Sequence, residues 1–194
     1  MKKINTVSII FTSLAFVAMS CTGSSGPNLN PEPTRSTIKA VPDWYTNPDK
    51  YTPEGMIGAR ASETSRDMMI ADEKAQNAAR GSLRLQVKDI GETGNTRFVK
   101  ETGLDAESQI VKRFEGGNES ASSSALEASR VIYNETQKDG VVYRAYVLMV
   151  VPDPALETLR QLEKDKELMA KFEQTDYFND LSKRLARYRD LHGK

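Results

Sequence analysis

Cys21 is the residue of this 194-residue chain with the clearest chemistry: a lone thiol placed where it can be acylated. Lys2 and Lys3 precede it, then an apolar run from Val7 to Met19. The small polar stretch Thr22-Gly23-Ser24-Ser25-Gly26 follows. A basic start, an apolar core of this length and small residues at its end have the layout of a secretory signal that is removed. The run is shorter than the ~20 apolar residues of a membrane-spanning helix. Two cleavage positions fit.

In the first, a lipoprotein peptidase cuts before Cys21 after its thiol has received a diacylglycerol. The segment Val17-Ala18-Met19-Ser20-Cys21 resembles the lipobox of such substrates; Ser20 fits, whereas Ala18 and Met19 depart from the usual choices. In the second, Ala18-Met19-Ser20 is an ordinary small-x-small site, and a soluble chain keeps a free N-terminal cysteine. A lone cysteine directly after a signal core, with a polar stretch behind it, favours the first. Several acyl chains on one residue anchor stably where one chain is marginal. Thr22 is not Asp, which by resemblance to lipoprotein sorting in Gram-negative cells places the anchor in the outer membrane.

Other chemistries find less support. Ser122-Ser123-Ser124 offers hydroxyl nucleophiles, but no histidine lies nearby and no Gly-x-Ser-x-Gly turn exists. The single histidine, His192, is the third residue from the end and reads as solvated. Histidine–cysteine metal sites are excluded, and no calcium-loop spacing is present. Neither a cofactor nor catalytic residues are expected. Removing residues 1–20 takes away Lys2 and Lys3 and no acid, so the mature chain is slightly acidic. That argues against nucleic acid as a partner, which would call for a basic stripe. With no second cysteine there is no internal disulfide.

The elements that must carry these groups follow from composition and periodicity. Residues 22–41 hold Gly23, Gly26, Pro27, Pro31 and Pro33 among small polar residues, a linker composition. Such a chain spans on the order of 25 Å. The domain opens at Val41-Pro42-Asp43-Trp44-Tyr45. Trp44 is either a plug closing that opening or an exposed aromatic anchor; burial of a large aromatic favours the plug. A short strand is expected over Gly55–Ala61, its Gly58-Ala59 pair letting a helix approach closely. Ser65 or Asp67 caps a helix whose face is Met68, Ala71, Ala75, Ala78, Ser82 and Leu85, with Gly91 and Gly94 ending it. Over 95–127 a short helix from Ala106 to Phe114 is expected to break at Gly116-Gly117-Asn118. Arg130–Thr136 and Val141–Val151 then pair as a hairpin about Asp139-Gly140. Val141, Tyr143, Ala145, Val147 and Met149 share one face, leaving Arg144 on a partly wet one.

Asp153 caps the next helix, with Pro154 in its first turn. From there to Leu191 the chain reads as helical, with Leu156, Leu159, Leu162, Met169 and Phe172 forming one stripe. Tyr177, Leu181, Leu185, Tyr188 and Leu191 form a second, and the stripe slips near Gln174-Thr175-Asp176. Glu167–Lys171 and Asp180–Arg184 have the favourable acid-first spacing of four. Unbroken, this helix would run about 55 Å. It either folds back on its own domain or projects to pair with another copy or a partner. On the projecting reading, Tyr177, Leu181, Leu185 and Tyr188 are the candidate partner-binding residues.

The expected fold is α+β: a small antiparallel sheet of the first strand and the hairpin, packed on an alanine-rich helix, then a long C-terminal helix. The divisions are a signal at 1–20, a lipidated linker at 21–41, an α+β domain at 42–152 and a helical extension at 153–192. Pro42-Asp43-Trp44, Gly58-Ala59, Ala71, Ala75, Ala78, Ala79 and Tyr146-Val147-Leu148 carry a further inference. With the signal and linker, residues 41–151 resemble the small bacterial outer-membrane lipoproteins typified by a membrane antigen. Relatives of that family include the flagellar outer-membrane protein FlgP and the N-terminal part of FlgT. The resemblance implies no enzyme activity, and an envelope-assembly role that is in some members flagellar and sometimes in rings. Expected partners are outer-membrane lipid through acylated Cys21 and a second copy or another envelope protein. The alternative is a periplasmic binding module that regulates a cell-wall or secretion machine.

Overall fold

A computed structural model describes residues 41–192, which belong to one compact unit. The signal, Cys21 and residues 22–40 of the linker lie outside the described residues. Two short helices, α1 (Asp43–Thr46) and α2 (Pro48–Tyr51), lead into β1 (Met56–Ser65) and α3 (Met68–Thr102). Then come α4 (Gln109–Glu127), β2 (Arg130–Asp139) and β3 (Val142–Pro152). Three helices close the chain: α5 (Pro154–Leu162), α6 (Lys166–Phe172) and α7 (Asp176–His192). The sheet is antiparallel in the order β1-β3-β2. This is the expected α+β arrangement, with α7 as the long C-terminal helix.

The hairpin turns one residue later than the Asp-Gly pair suggests. Asp139 pairs with Val142, so Gly140-Val141 form the two-residue loop. Gly140 takes φ 63°, which only glycine adopts readily. Both faces of β3 are covered. Ala145, Val147, Met149 and Val151 face α3, while Tyr146, Leu148 and Val150 on the opposite face are also buried. The opening segment supplies that second cover: the Tyr45 ring meets Tyr146 at 4.9 Å, and Trp44 stacks on Tyr133 at 5.5 Å. Trp44 is only half-buried, stacked on the exposed Tyr133. The Gly58-Ala59 pair divides its work. Ala59 faces α3, and a side chain at Gly58 would collide with Thr52 just after α2.

Helix α3 begins as expected, with Asp67 accepting from Met69 N and Ile70 N at 2.8 and 3.1 Å. Its buried face is Ala71, Ala75, Ala79, Leu83 and Val87, a row of fours rather than the expected alternation of threes and fours. Met68, Ser82 and Leu85 are exposed. The i±4 row is a natural ridge of a helix surface, and its small residues lie along the sheet. Gly91 and Gly94 do not end the helix; it runs 35 residues, about 50 Å, to a left-handed cap at Gly103. Its first half covers the sheet, and Phe98 in its second half enters a separate core with Val111, Phe114, Phe172 and Leu181. Gly116-Gly117 likewise sit inside an unbroken α4. Glycine in a helix costs about 1 kcal/mol relative to alanine. Tertiary packing outweighs that here, because a Cβ on Gly117 would stand 2.8 Å from Leu162 Cδ2.

The C-terminal segment is three helices folded into the domain. Asp165 caps α6, accepting from Leu168 N at 3.1 Å, and the Thr175 hydroxyl accepts from Phe178 N at 3.1 Å at the start of α7. These two caps turn the chain back on itself. Residues 153–192 therefore complete the second core rather than extend from the domain.

Candidate functional site

The four residues predicted to bind a partner are held by their own chain. Tyr177, Leu181 and Leu185 are buried among Phe98, Phe114 and Phe172. Tyr188 is half-buried, its ring against Gly55 and under the Arg160 guanidinium at 5.7 Å. The stripe is not free for a partner in this fold, because chain reversal after α6 offers it an aromatic core to cover. Tyr177 is fastened most closely. Its amide donates to Glu101 Oε2 at 2.8 Å, and Arg97 lies over its ring at 4.7 Å while pairing with Glu101 and Asp180. Burial pushes the Tyr177 hydroxyl up to about 12, with the Arg97 charge opposing.

Long-range ion pairs replace the expected local ones. Asp180 pairs with Arg97 at 3.0 Å and not with Arg184, and Glu167 pairs with Arg113 at 2.6 Å and not with Lys171. Freed from Asp180, Arg184 reaches back to Asp153 across a cleft. The cleft, of about 440 Å³, lies between the β1 approach, the β3–α5 corner and α7. Asp49, Glu54, Asp153, Arg184 and Arg187 supply its charged groups, and Thr52 and Gln86 its neutral polar ones.

Asp153 is the cleft's fixed point. It is 4% exposed, its Oδ1 accepts from Ala155 N at 3.0 Å, and its amide donates to Gly55 O at 3.0 Å. The carboxylate is thus shared between capping α5 and holding Arg184. Arg187 is one turn further along α7, and among the described residues no ion pair engages it. The Arg184 guanidinium is shifted below its usual range by burial first, then by repulsion from Arg187, with Glu54 opposing. Arg184 and Arg187 stand among three acids of the cleft, Asp49, Glu54 and Asp153, so the site presents charges of both signs. Sequence reading missed this pair. On the helix surface Arg184 and Arg187 look like ordinary solvated charges, and only the fold brings Asp153 to them.

A second groove, of about 460 Å³, runs between α3 and α4. It brings Ser122 and Ser123 near Lys88, the pairing that Lys–Ser chemistry would use. Lys88 is exposed and pairs with Glu92 at 3.6 Å. At its floor Asn118 is buried and fully bonded, donating to Gly91 O at 2.8 Å and Asn95 Oδ1 at 2.9 Å. Among the described residues no group of three His, Cys, Asp or Glu is placed to hold a metal ion. No helix there is long and apolar enough to cross a membrane. No family model matches the chain, and no characterised protein or solved structure matches it.

Proposed function

We propose that this protein is a non-enzymatic lipoprotein of the outer membrane, a structural or assembly part of the cell envelope. Cys21 carries the reading: the only cysteine, directly behind a signal core and ahead of a linker. Acylation there would hold the α+β domain at the membrane surface. The resemblance of residues 41–151 to small outer-membrane lipoproteins supports an assembly role, flagellar association included. Mass spectrometry of the mature N-terminus tests the anchor. The expected product begins at an acylated Cys21; an unmodified Cys21 refutes it.

The cleft favours a second reading, a binding module that regulates an envelope machine. Arg187 is accessible there, with Arg184 held by Asp153. A photo-crosslinker at position 187, activated in living cells, separates the two. Capture of one envelope protein at high yield supports the regulator, whereas self-crosslinks or several envelope products support the structural part. Self-association through Tyr177, Leu181 and Leu185 is not carried forward, since these side chains lie in the core.

A further inference from the structure

We infer that the hairpin end of the sheet seats on the lipid surface to which the chain is tethered, with Met68, Met69, Ile70 and Val141 as the contact. The inference rests on the anchoring of Cys21 proposed above. Six large apolar side chains are exposed among the described residues, and four gather at this one end. Met68, Met69 and Ile70 are 52%, 70% and 47% exposed in the first turn of α3, and Val141 is 70% exposed in the hairpin loop. Their placement follows from the register: Ser65, at the end of β1, pairs with Tyr143, two residues from Val141. Only Arg66 and Asp67 separate Ser65 from α3. The other two exposed residues lie elsewhere: Leu85 is mid-helix, and Tyr133 is stacked on Trp44.

Three features select a lipid surface as the occupant. The first is where the tether joins. The opening segment moves away from the hairpin end, from Tyr45 beside Tyr146 to Thr52 beside Gly58, which pairs with Val150, and on to Gly55, bonded to Asp153. The chain therefore joins the domain nearer the hairpin end than it leaves the outer face. The second is reach. From Tyr146 to Val142 is about 13 Å along the strand at ~3.3 Å per residue. A tether of this length and composition spans on the order of 25 Å, so the tip can come down on the surface that holds Cys21. The third is charge. Arg66 and Lys138 are exposed at the same end, where cations meet lipid phosphates, while Asp67 is directed to the α3 amides. Apolar tips flanked by cations have the composition of interfacial anchors.

The single native cysteine makes the test direct. In the lipidated chain Cys21 is blocked, so Ile70→Cys or Val141→Cys introduces the only free thiol. Each variant, and Leu85→Cys as a control, takes an environment-sensitive fluorophore and is reconstituted into vesicles of phosphatidylethanolamine and phosphatidylglycerol. Quenching by lipids carrying the quencher in their acyl chains should be severalfold stronger at positions 70 and 141 than at 85. Circular dichroism checks that each variant is folded, and two independent tip positions guard against the loss of one. Equal quenching at all three positions, or none at the tip while the chain stays bound, overturns the seating and leaves the anchor standing. Protection at the tip that grows with protein density, without quenching, also overturns it and assigns the patch to a second copy. An unmodified Cys21 by mass spectrometry overturns the anchor and the seating together.

Discussion

The Thr158 hydroxyl lies 2.8 Å from Asn118 Oδ1, and both side chains are buried where α3, α4 and α5 meet. Asn118 also donates to Gly91 O and Asn95 Oδ1, so one side chain ties three helices. Asn118→Ala should destabilise the fold by about 1–2 kcal/mol, because it removes the hydrogen bonds that join α4 to α3 and α5. Thr158→Val should cost less, about 1 kcal/mol, since it keeps the shape and removes one hydroxyl. Urea denaturation of both and of the double variant would show coupling; strict additivity would refute the network.

Two glycines of α3 should respond in opposite directions to alanine. A Cβ on Gly94 would lie 2.7 Å from Tyr177 Oη and 3.1 Å from Asn118 Nδ2, so Gly94→Ala must displace the packed side chains of Tyr177 and Asn118. Overpacking of this kind costs roughly 1–3 kcal/mol. Gly81 has nothing within 4 Å, and Gly81→Ala should stabilise by about 0.5–1 kcal/mol through helix propensity. Melting temperatures of the two variants on either side of the native value are the expected result.

Tyr177 makes stability fall in alkali. Its folded pKa is raised from 10.0 to about 12, chiefly by burial. The unfolded chain loses this proton first, so the contribution is fully present below pH 10.0 and is lost as pH rises to about 12. The loss is at most of order 3 kcal/mol at about 1.4 kcal/mol per unit. Chemical denaturation across that range, compared with Tyr177→Phe, isolates it; equal slopes in the two chains would count against it.

The two cleft arginines should separate stability from binding. Arg184→Met leaves the buried Asp153 carboxylate without its partner, yet still bonded to Ala155 N. Arg184 is about half exposed, which limits the cost to roughly 1–2 kcal/mol. Asp153→Ala removes a helix cap as well, for about 2 kcal/mol. Arg187→Ala should change stability by less than about 0.5 kcal/mol, as at other open surface sites. A large loss for Arg187→Ala in thermal denaturation would make it a structural residue.

The α+β class was readable because its determinants are local. The almost continuously apolar strand Val142–Pro152, the turn glycine Gly140 and the Asp153-Pro154 helix start each rest on a few adjacent residues. Helix length was not readable, because Gly91, Gly94, Gly116 and Gly117 look like breaks in sequence. In the fold, Gly94 and Gly117 sit where another element comes too close for a Cβ. Nor was the cleft: Asp153 and Arg184 meet only because α6 and α7 fold back.

From sequence alone come the hairpin and the amphipathic stripe of the C-terminus, and the expectation that Cys21 is acylated ahead of a linker, since each depends on neighbouring residues. Where that stripe is buried is a tertiary matter. Tyr177, Leu181 and Leu185 have the spacing of a partner-binding face and equally that of a core face. Periodicity reports that an apolar surface must be covered, not by what. Phe98, Phe114 and Phe172 cover it here. Met68, Met69, Ile70 and Val141 are left as an uncovered apolar end of the domain.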